Sequence, residues 1–185
     1  MALCFNKKTW IWETTDNPEL LTPAEDWVID PVFSDEAACK QVGPANWVYT
    51  NNIISPMSPE EIAARELAEI RLDMWRKIQQ ERDRRKMGGV KVNGKWFHTD
   101  DTSRIQHIGL VLLGQNMPSN IYWKTMDGSF VLMTPTLAQQ IFSAVAQADM
   151  LIFAKAEEHK ANMYASQDPL SYNYLTGWPL IYGEE

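Results

Sequence analysis

The grammar of apolar and polar positions changes twice along the chain. From 1 to 57 it consists of short apolar bursts: Trp10-Ile11-Trp12, Trp27-Val28-Ile29, Val32-Phe33, Trp47-Val48-Tyr49 and Ile53-Ile54. Turn-formers separate them, among them Asp16-Asn17-Pro18, Thr22-Pro23, Asp30-Pro31, Gly43-Pro44 and Asn51-Asn52. Such bursts predict short strands or extended segments, with one helical turn near 34–41. Many are too short for a convincing independent sheet, and lying across a partner's surface is the alternative reading.

At Ser58-Pro59-Glu60-Glu61 the period becomes helical. Ser58 and Glu61 stand at capping-box spacing around a proline at the first helical position. Acids fill the first turn, and Arg82, Arg84, Arg85 and Lys86 fill the last, which suits the helix dipole. Gly88-Gly89 stops a helix that should run to about Lys86. Its apolar stripe is Ala63, Leu67, Ile70, Met74 and Ile78. A helix of this length, roughly 42 Å at 1.5 Å per residue, either docks on its own domain or projects to meet a partner or copies of itself. Both readings stay open.

Beyond the glycines the pattern is compact and mixed. Asn93-Gly94 and Asp127-Gly128 each sit between apolar runs and predict two hairpins. Between them, Asp100, Asp101 or Ser103 caps a helix through Leu113, with Ile105, Ile108 and Leu112 on one face. Thr134-Pro135 opens a last helix towards Tyr164, with its main stripe at Leu137, Ile141, Ala144, Ala148, Leu151 and Ile152. Phe142, Met150 and Phe153 point elsewhere, which predicts cover on more than one side. From 166 the chain is irregular and aromatic, with Tyr172, Tyr174, Trp178 and Tyr182. The fold class expected is α+β, in four parts: an extended region 1–57, a linking helix 58–87, a small α+β domain 88–165 and a tail 166–185.

Charge narrows the function. The net charge is −7: residues 1–57 carry 3 basic and 8 acidic groups, and the tail has three acids and no base. Phosphate binding needs clustered Lys and Arg, so nucleic acid is not an expected partner. The most apolar stretch, 137–154, is broken by Gln139, Gln140, Gln147 and Asp149, and a spanning helix needs about 20 mainly apolar residues. No membrane partner is expected. Lys7 and Lys8 lead into an acid-rich stretch rather than the apolar core of a signal peptide. Cys4 and Cys39 have no metal-ligand spacing and are expected as free thiols in a reducing compartment.

Catalytic chemistry finds little support. His98 and His107, with Asp100 or Asp101, are the one conceivable metal or acid-base group, but no ligand pair has a spacing that fixes geometry. His98 reads as a strand-edge residue and His159 as a solvated helix-end residue. There is no phosphate loop, dinucleotide fingerprint or nucleophile elbow. No cofactor and no catalytic residue is expected.

Several motifs stand in a fixed order: Arg82-Asp83, Gly88-Gly89-Val90, Asn93-Gly94, Phe97-His98-Thr99-Asp100, Ser103-Arg104-Ile105, Tyr122-Trp123-Lys124-Thr125, Asp127-Gly128 and Leu132-Met133-Thr134. In that order they resemble an uncharacterised domain common in bacteriophage tail-fibre and tail-fibre assembly proteins, over roughly 82–164. The resemblance implies a non-enzymatic phage protein that binds the tail fibre or the baseplate part carrying it. A structural adaptor of the virion is the first expectation, made in the host cytoplasm and then held in the tail. A transient assembly chaperone is the alternative, and a small metal-dependent hydrolase a distant third. The residues themselves read as turns, caps and core aromatics, which specify a fold rather than a reaction. The expected partner-binding residues are Leu67, Ile70, Met74 and Ile78 on the long helix, with Tyr172, Tyr174 and Trp178 in the tail. The same helix stripe would serve a homo-oligomer.

Overall fold

In a computed structural model, which describes residues 1–184, the chain divides into two compact units, Met1–Ala68 and Glu69–Glu185. In the first, β1 (Ala2–Asn6) lies between antiparallel β2 (Trp12–Thr15) and β3 (Trp27–Ile29). A second small sheet pairs β5 (Trp47–Thr50) with β6 (Ile53–Pro56) antiparallel, and β4 (Val32–Phe33) joins β6 in parallel. Asn51 and Asn52 both take positive φ, 50° and 66°, as a two-residue turn that follows strand twist requires. Helix α1 (Glu36–Val42) starts where the Asp35 carboxylate accepts the Ala38 N–H at 2.9 Å.

These short strands carry a core of their own. Phe5, Val28, Cys39, Trp47 and Ile54 form a buried core, and Trp10, Trp12, Phe33, Val42 and Tyr49 pack around it. Large aromatic rings bury so much surface each that strands of two to five residues suffice. Phe5 lies 4.9 Å from both Trp10 and Trp12, and Trp12 stacks on Phe33 at 5.8 Å. Trp47 Nε1 donates to the Cys39 carbonyl at 2.7 Å, tying α1 to the second sheet. Both cysteines are free and buried, as the sequence predicts, and burial raises both thiol pKa values.

Helix α2 (Pro59–Lys86) runs from the first unit into the second. Its capping box forms: the Glu61 carboxylate accepts the Ser58 N–H at 2.8 Å, and Ser58 Oγ accepts the Glu61 N–H at 3.2 Å. The second unit then adds the hairpin of β7 (Val90–Val92) and β8 (Lys95–Phe97), helix α3 (Asp101–Leu113), the hairpin of β9 (Tyr122–Lys124) and β10 (Phe130–Leu132), and helix α4 (Pro135–Ala165). Four helices and several small sheets make the fold α+β, as expected.

Two cores hold the second unit. The first gathers Val90, Phe97, Leu110, Met117, Met133, Ala138 and Ile141 from both hairpins, α3 and α4. The second joins α2 (Met74, Ile78), α4 (Ile152, Ala156, Met163) and the tail residue Trp178. Ile70, Trp75, Tyr172 and Tyr174 pack against it. The tail is therefore an integral wall of this unit and not a free appendage. Polar contacts fix it there. Arg85, itself buried, meets Glu81 at 2.6 Å, Glu184 at 2.9 Å and the Pro179 carbonyl at 2.9 Å.

Candidate interaction surface

Helix α3 begins where the Asp100 carboxylate accepts both the N–H and the hydroxyl of Ser103, at 3.0 and 2.6 Å. These hydrogen bonds, led by the hydroxyl, hold the Asp100 carboxyl below its ordinary pKa. One turn on, Arg104 binds three elements at once. Its Nε donates to the Thr99 carbonyl at 2.6 Å, and Nη2 donates to the Lys86 carbonyl at the end of α2 at 2.8 Å. It also grips Asp149 of α4 with two hydrogen bonds of 2.6 and 2.9 Å. Thr99 Oγ1 donates to the same Lys86 carbonyl and accepts the Gly89 N–H. The end of α2, the start of α3 and the middle of α4 are thus pinned together.

With α3 held this way, its buried side is His107 and Leu110. Ile105, Ile108 and Leu112, whose shared face the sequence suggested, point outward and are 70%, 44% and 81% exposed. Phe142 of α4, 46% exposed, joins Ile108 in a pocket of about 140 Å³ lined by Arg104, His107, Ile108, Phe142 and Val145. No residue from Ile105 to Trp123, or from Gly128 to Ala148, carries a formal charge. On α4, only 17% of the most apolar 18-residue stretch is buried, although by length and composition this helix could cross a membrane. Met150 is also exposed, and Phe153 is half covered by Arg82 and Lys86 of α2, which lie over its ring. These exposed apolar residues make the outer side of α3 and the adjoining part of α4 the candidate surface.

The expected partner-binding residues sit elsewhere and are largely occupied. Met74, Ile78 and Trp178 are buried, while Ile70, Tyr172 and Tyr174 are half-buried against them. Leu67 is half-buried on α2 within the first unit. Ile70, Met74 and Ile78 of the coiled-coil-like stripe pack against α4 and the tail in this structure. The helix docks on its own unit because the aromatic tail and α4 supply a complementary apolar surface.

The histidines are also placed differently from expectation. His159 is buried, not solvated: Nε2 lies 3.0 Å from the Thr176 carbonyl and Nδ1 lies 2.8 Å from the Tyr172 hydroxyl. Its ring lies 5.1 Å from that of Trp178. Burial lowers its pKa, as it does for His107. His107 packs on Trp123 with ring centres 4.4 Å apart, and its Nε2 lies 3.3 Å from the His98 carbonyl. Asp100 is spent on capping α3. Among the described residues no group of three His, Cys, Asp or Glu side chains could hold a metal ion.

The motif residues make a scaffold. A Cβ at Gly88 would overlap Ile181 of the tail, and one at Gly89 would overlap Met126. Asn93 and Gly94 turn the first hairpin at φ of 50° and 77°. Asp127 closes the second, accepting from Thr125, Ser129 and Lys95. A family model described as a domain of unknown function (DUF4376) matches residues 69–176, more than half of the chain. The chain belongs to the DUF4376 family. No curated protein and no solved structure matches it. The DUF4376 match opens at residue 69, where the second compact unit opens, and ends in the tail between Tyr174 and Trp178. It therefore takes in the docked half of α2, the whole α3–α4 surface and Tyr172 and Tyr174 of the tail, and stops short of Trp178.

Proposed function

We propose that this DUF4376 protein is a non-enzymatic component of a bacteriophage tail. In this reading it binds the tail fibre, or the baseplate part that carries it, as a structural adaptor of the virion. The phage assignment draws on the ordered motifs from Arg82 to Thr134 and their resemblance to tail-fibre and fibre-assembly proteins. The observation that carries the binding role is the uncharged surface of Ile105, Ile108, Leu112 and Phe142, all of them exposed. Apolar, rigid and rimmed by polar residues, such a face is suited to a protein partner. The groups that might have served catalysis are engaged in structure: Asp100 in a cap and His107 in an aromatic stack. The protein would be made in the host cytoplasm and carried into the tail.

Quantitative mass spectrometry of purified virions of the encoding phage tests this. A fixed stoichiometry relative to the fibre protein, together with co-purification of the two when co-expressed, is the expected result. Co-purification with the fibre but absence from virions would replace the adaptor with a fibre-assembly chaperone. Failure to co-purify with either fibre or baseplate proteins would end the reading.

A further inference from the structure

The β9–β10 hairpin keeps an open edge along β9. Its pairing is anchored at both ends: the Thr125 N–H donates to the Ser129 carbonyl at 2.9 Å, and the Met133 N–H donates to the Ile121 carbonyl at 2.8 Å. In an antiparallel pair, successive residues turn their main-chain groups alternately towards the other strand and away from it. Ile121, Trp123 and Thr125 therefore engage β10, while Tyr122 and Lys124 turn their N–H and carbonyl groups outward. Met126, in the same outward register, donates to the Trp96 carbonyl at 2.9 Å. Past that bond the two chains part. His98 leads towards α3, and its carbonyl faces His107 Nε2 instead. A groove of about 340 Å³ opens there, lined by His98, Ser103, Gln106, Tyr122, Trp123 and Lys124.

The side chains beside this edge are also open. Directly paired residues lie on one face of a hairpin, so Tyr122, Lys124, Phe130 and Leu132 share the outer one. Tyr122 and Phe130 are each 65% exposed and Leu132 is 45% exposed, whereas Trp123 and Val131 pack on the core. Lys124 is exposed and has no ion partner among the described residues. Free main-chain donors and acceptors next to exposed apolar side chains are what an added strand requires.

We propose that an extended segment of a protein partner adds to β9 as a third strand, antiparallel, within this groove. The antiparallel sense lets Tyr122 and Lys124 each exchange both main-chain bonds with a single residue of the segment. Cross-strand pairing then names its side chains: a β-branched apolar residue against Tyr122 and, two positions earlier, an acidic residue against Lys124. The residue between them lies on the side of Trp123, where His98, Ser103 and Gln106 offer polar contacts. A second copy cannot offer its own β9, because that edge is walled by α3 in the same way. The site is separate from Ile105, Ile108 and Leu112 and stands whether or not the partner is a tail protein.

The test titrates the nitrogen-15-labelled full-length chain with the peptide acetyl-Ser-Glu-Thr-Val-Thr-amide and follows the backbone amide resonances. The amides of Tyr122 and Lys124, which gain acceptors, are expected to move most along β9, and that of Thr125, already bonded to Ser129, least. The same peptide N-methylated at its Glu and Val loses both donors and should bind about tenfold more weakly. Exchanging its Glu for Lys should weaken binding about fivefold, and Lys124→Glu should reverse that preference. Lys124→Pro deletes one outward N–H, a change that edge strands accept, and should lower affinity about tenfold. Phe130→Pro deletes the matching N–H on the β10 edge and should leave affinity unchanged. If Lys124→Pro fails to fold, the methylated peptide and Lys124→Glu still decide the matter. Equal binding of the methylated and plain peptides, no binding of either, or loss in Phe130→Pro with retention in Lys124→Pro would each overturn the proposal. So would a dimer of the chain that shields the Tyr122 and Lys124 amides, since a second copy would then be the occupant.

Discussion

Arg104 spends its guanidinium on two backbone carbonyls and a carboxylate, so removing it leaves several polar groups unpaired at once. Its side chain is 20% exposed and that of Asp149 is 27% exposed, so solvent screens the pair only in part. Arg104→Met is expected to lower stability by about 2–4 kcal/mol, a little under the roughly 3–5 kcal/mol for breaking a fully buried ion pair. Arg104→Lys should recover little, because an ammonium cannot serve a bidentate carboxylate and two carbonyls in fixed directions. Urea unfolding of the three proteins measures this. A midpoint for Arg104→Met within error of the wild type would show that the hub is dispensable. In the sequence Arg104 was only one letter of an ordered motif. Its three partners, at 86, 99 and 149, share no spacing that points to a common centre.

At the scale of elements the chain was largely readable. The start of α2 at Ser58-Pro59 and its end before Gly88, the caps at Asp100 and Thr134, and both Gly-containing hairpin turns all follow local rules. Which face of each helix turns inward was not readable. On α3, Ile105, Ile108 and Leu112 repeat at helical spacing, and so do His107, Leu110 and Val111; the more apolar set is the exposed one. Hydrophobicity alone does not choose between them, because a histidine stacked on Trp123 serves as a core residue. The one available signal for the exposed face was the uncharged stretch after Arg104. The packing of the aromatic tail was left open for a related reason: nothing local reveals that His159 and Trp178 meet. Trp178→Ala is expected to cost about 3–5 kcal/mol. The His159 site also makes stability depend on pH. Burial holds its folded pKa below the ordinary 6.5, so the unfolded chain takes up the proton first as pH falls. Stability is therefore full above about pH 6.5 and is lost below it until the folded pKa is passed. His107 adds in the same direction. Unfolding free energies at pH 7.5 and 5.5 should differ less in His159→Gln than in the wild type. Equal differences would mean that His159 is not desolvated by the tail.

For the whole molecule, the distribution of charge matters more than its total. The chain carries −7, yet the α3–α4 surface carries no charge between Arg104 and Lys124 or between Asp127 and Asp149. An acidic protein that keeps one apolar face neutral avoids desolvating ions when that face is covered, and its net charge limits indiscriminate self-association. If the face exists for a partner, binding and stability must separate there. The double variant Ile105→Glu, Leu112→Lys puts opposite charges on two exposed sites and leaves the net charge unchanged. The acid lies nearer the start of α3 and the base nearer its end, the order the helix dipole favours. Its stability should stay within about 0.5 kcal/mol of the wild type per site, as for surface substitutions. Partner capture should fall at least tenfold, because both charges would be buried unpaired in the complex. Met74→Glu, at a buried site between α2, α4 and the tail, should do the reverse and unfold the second unit before binding can be assayed. Thermal melts and co-purification with the fibre or baseplate protein, run side by side, read both quantities. Undiminished capture by the double variant would move the contact away from α3. A melt as low as that of Met74→Glu would make the face part of the core.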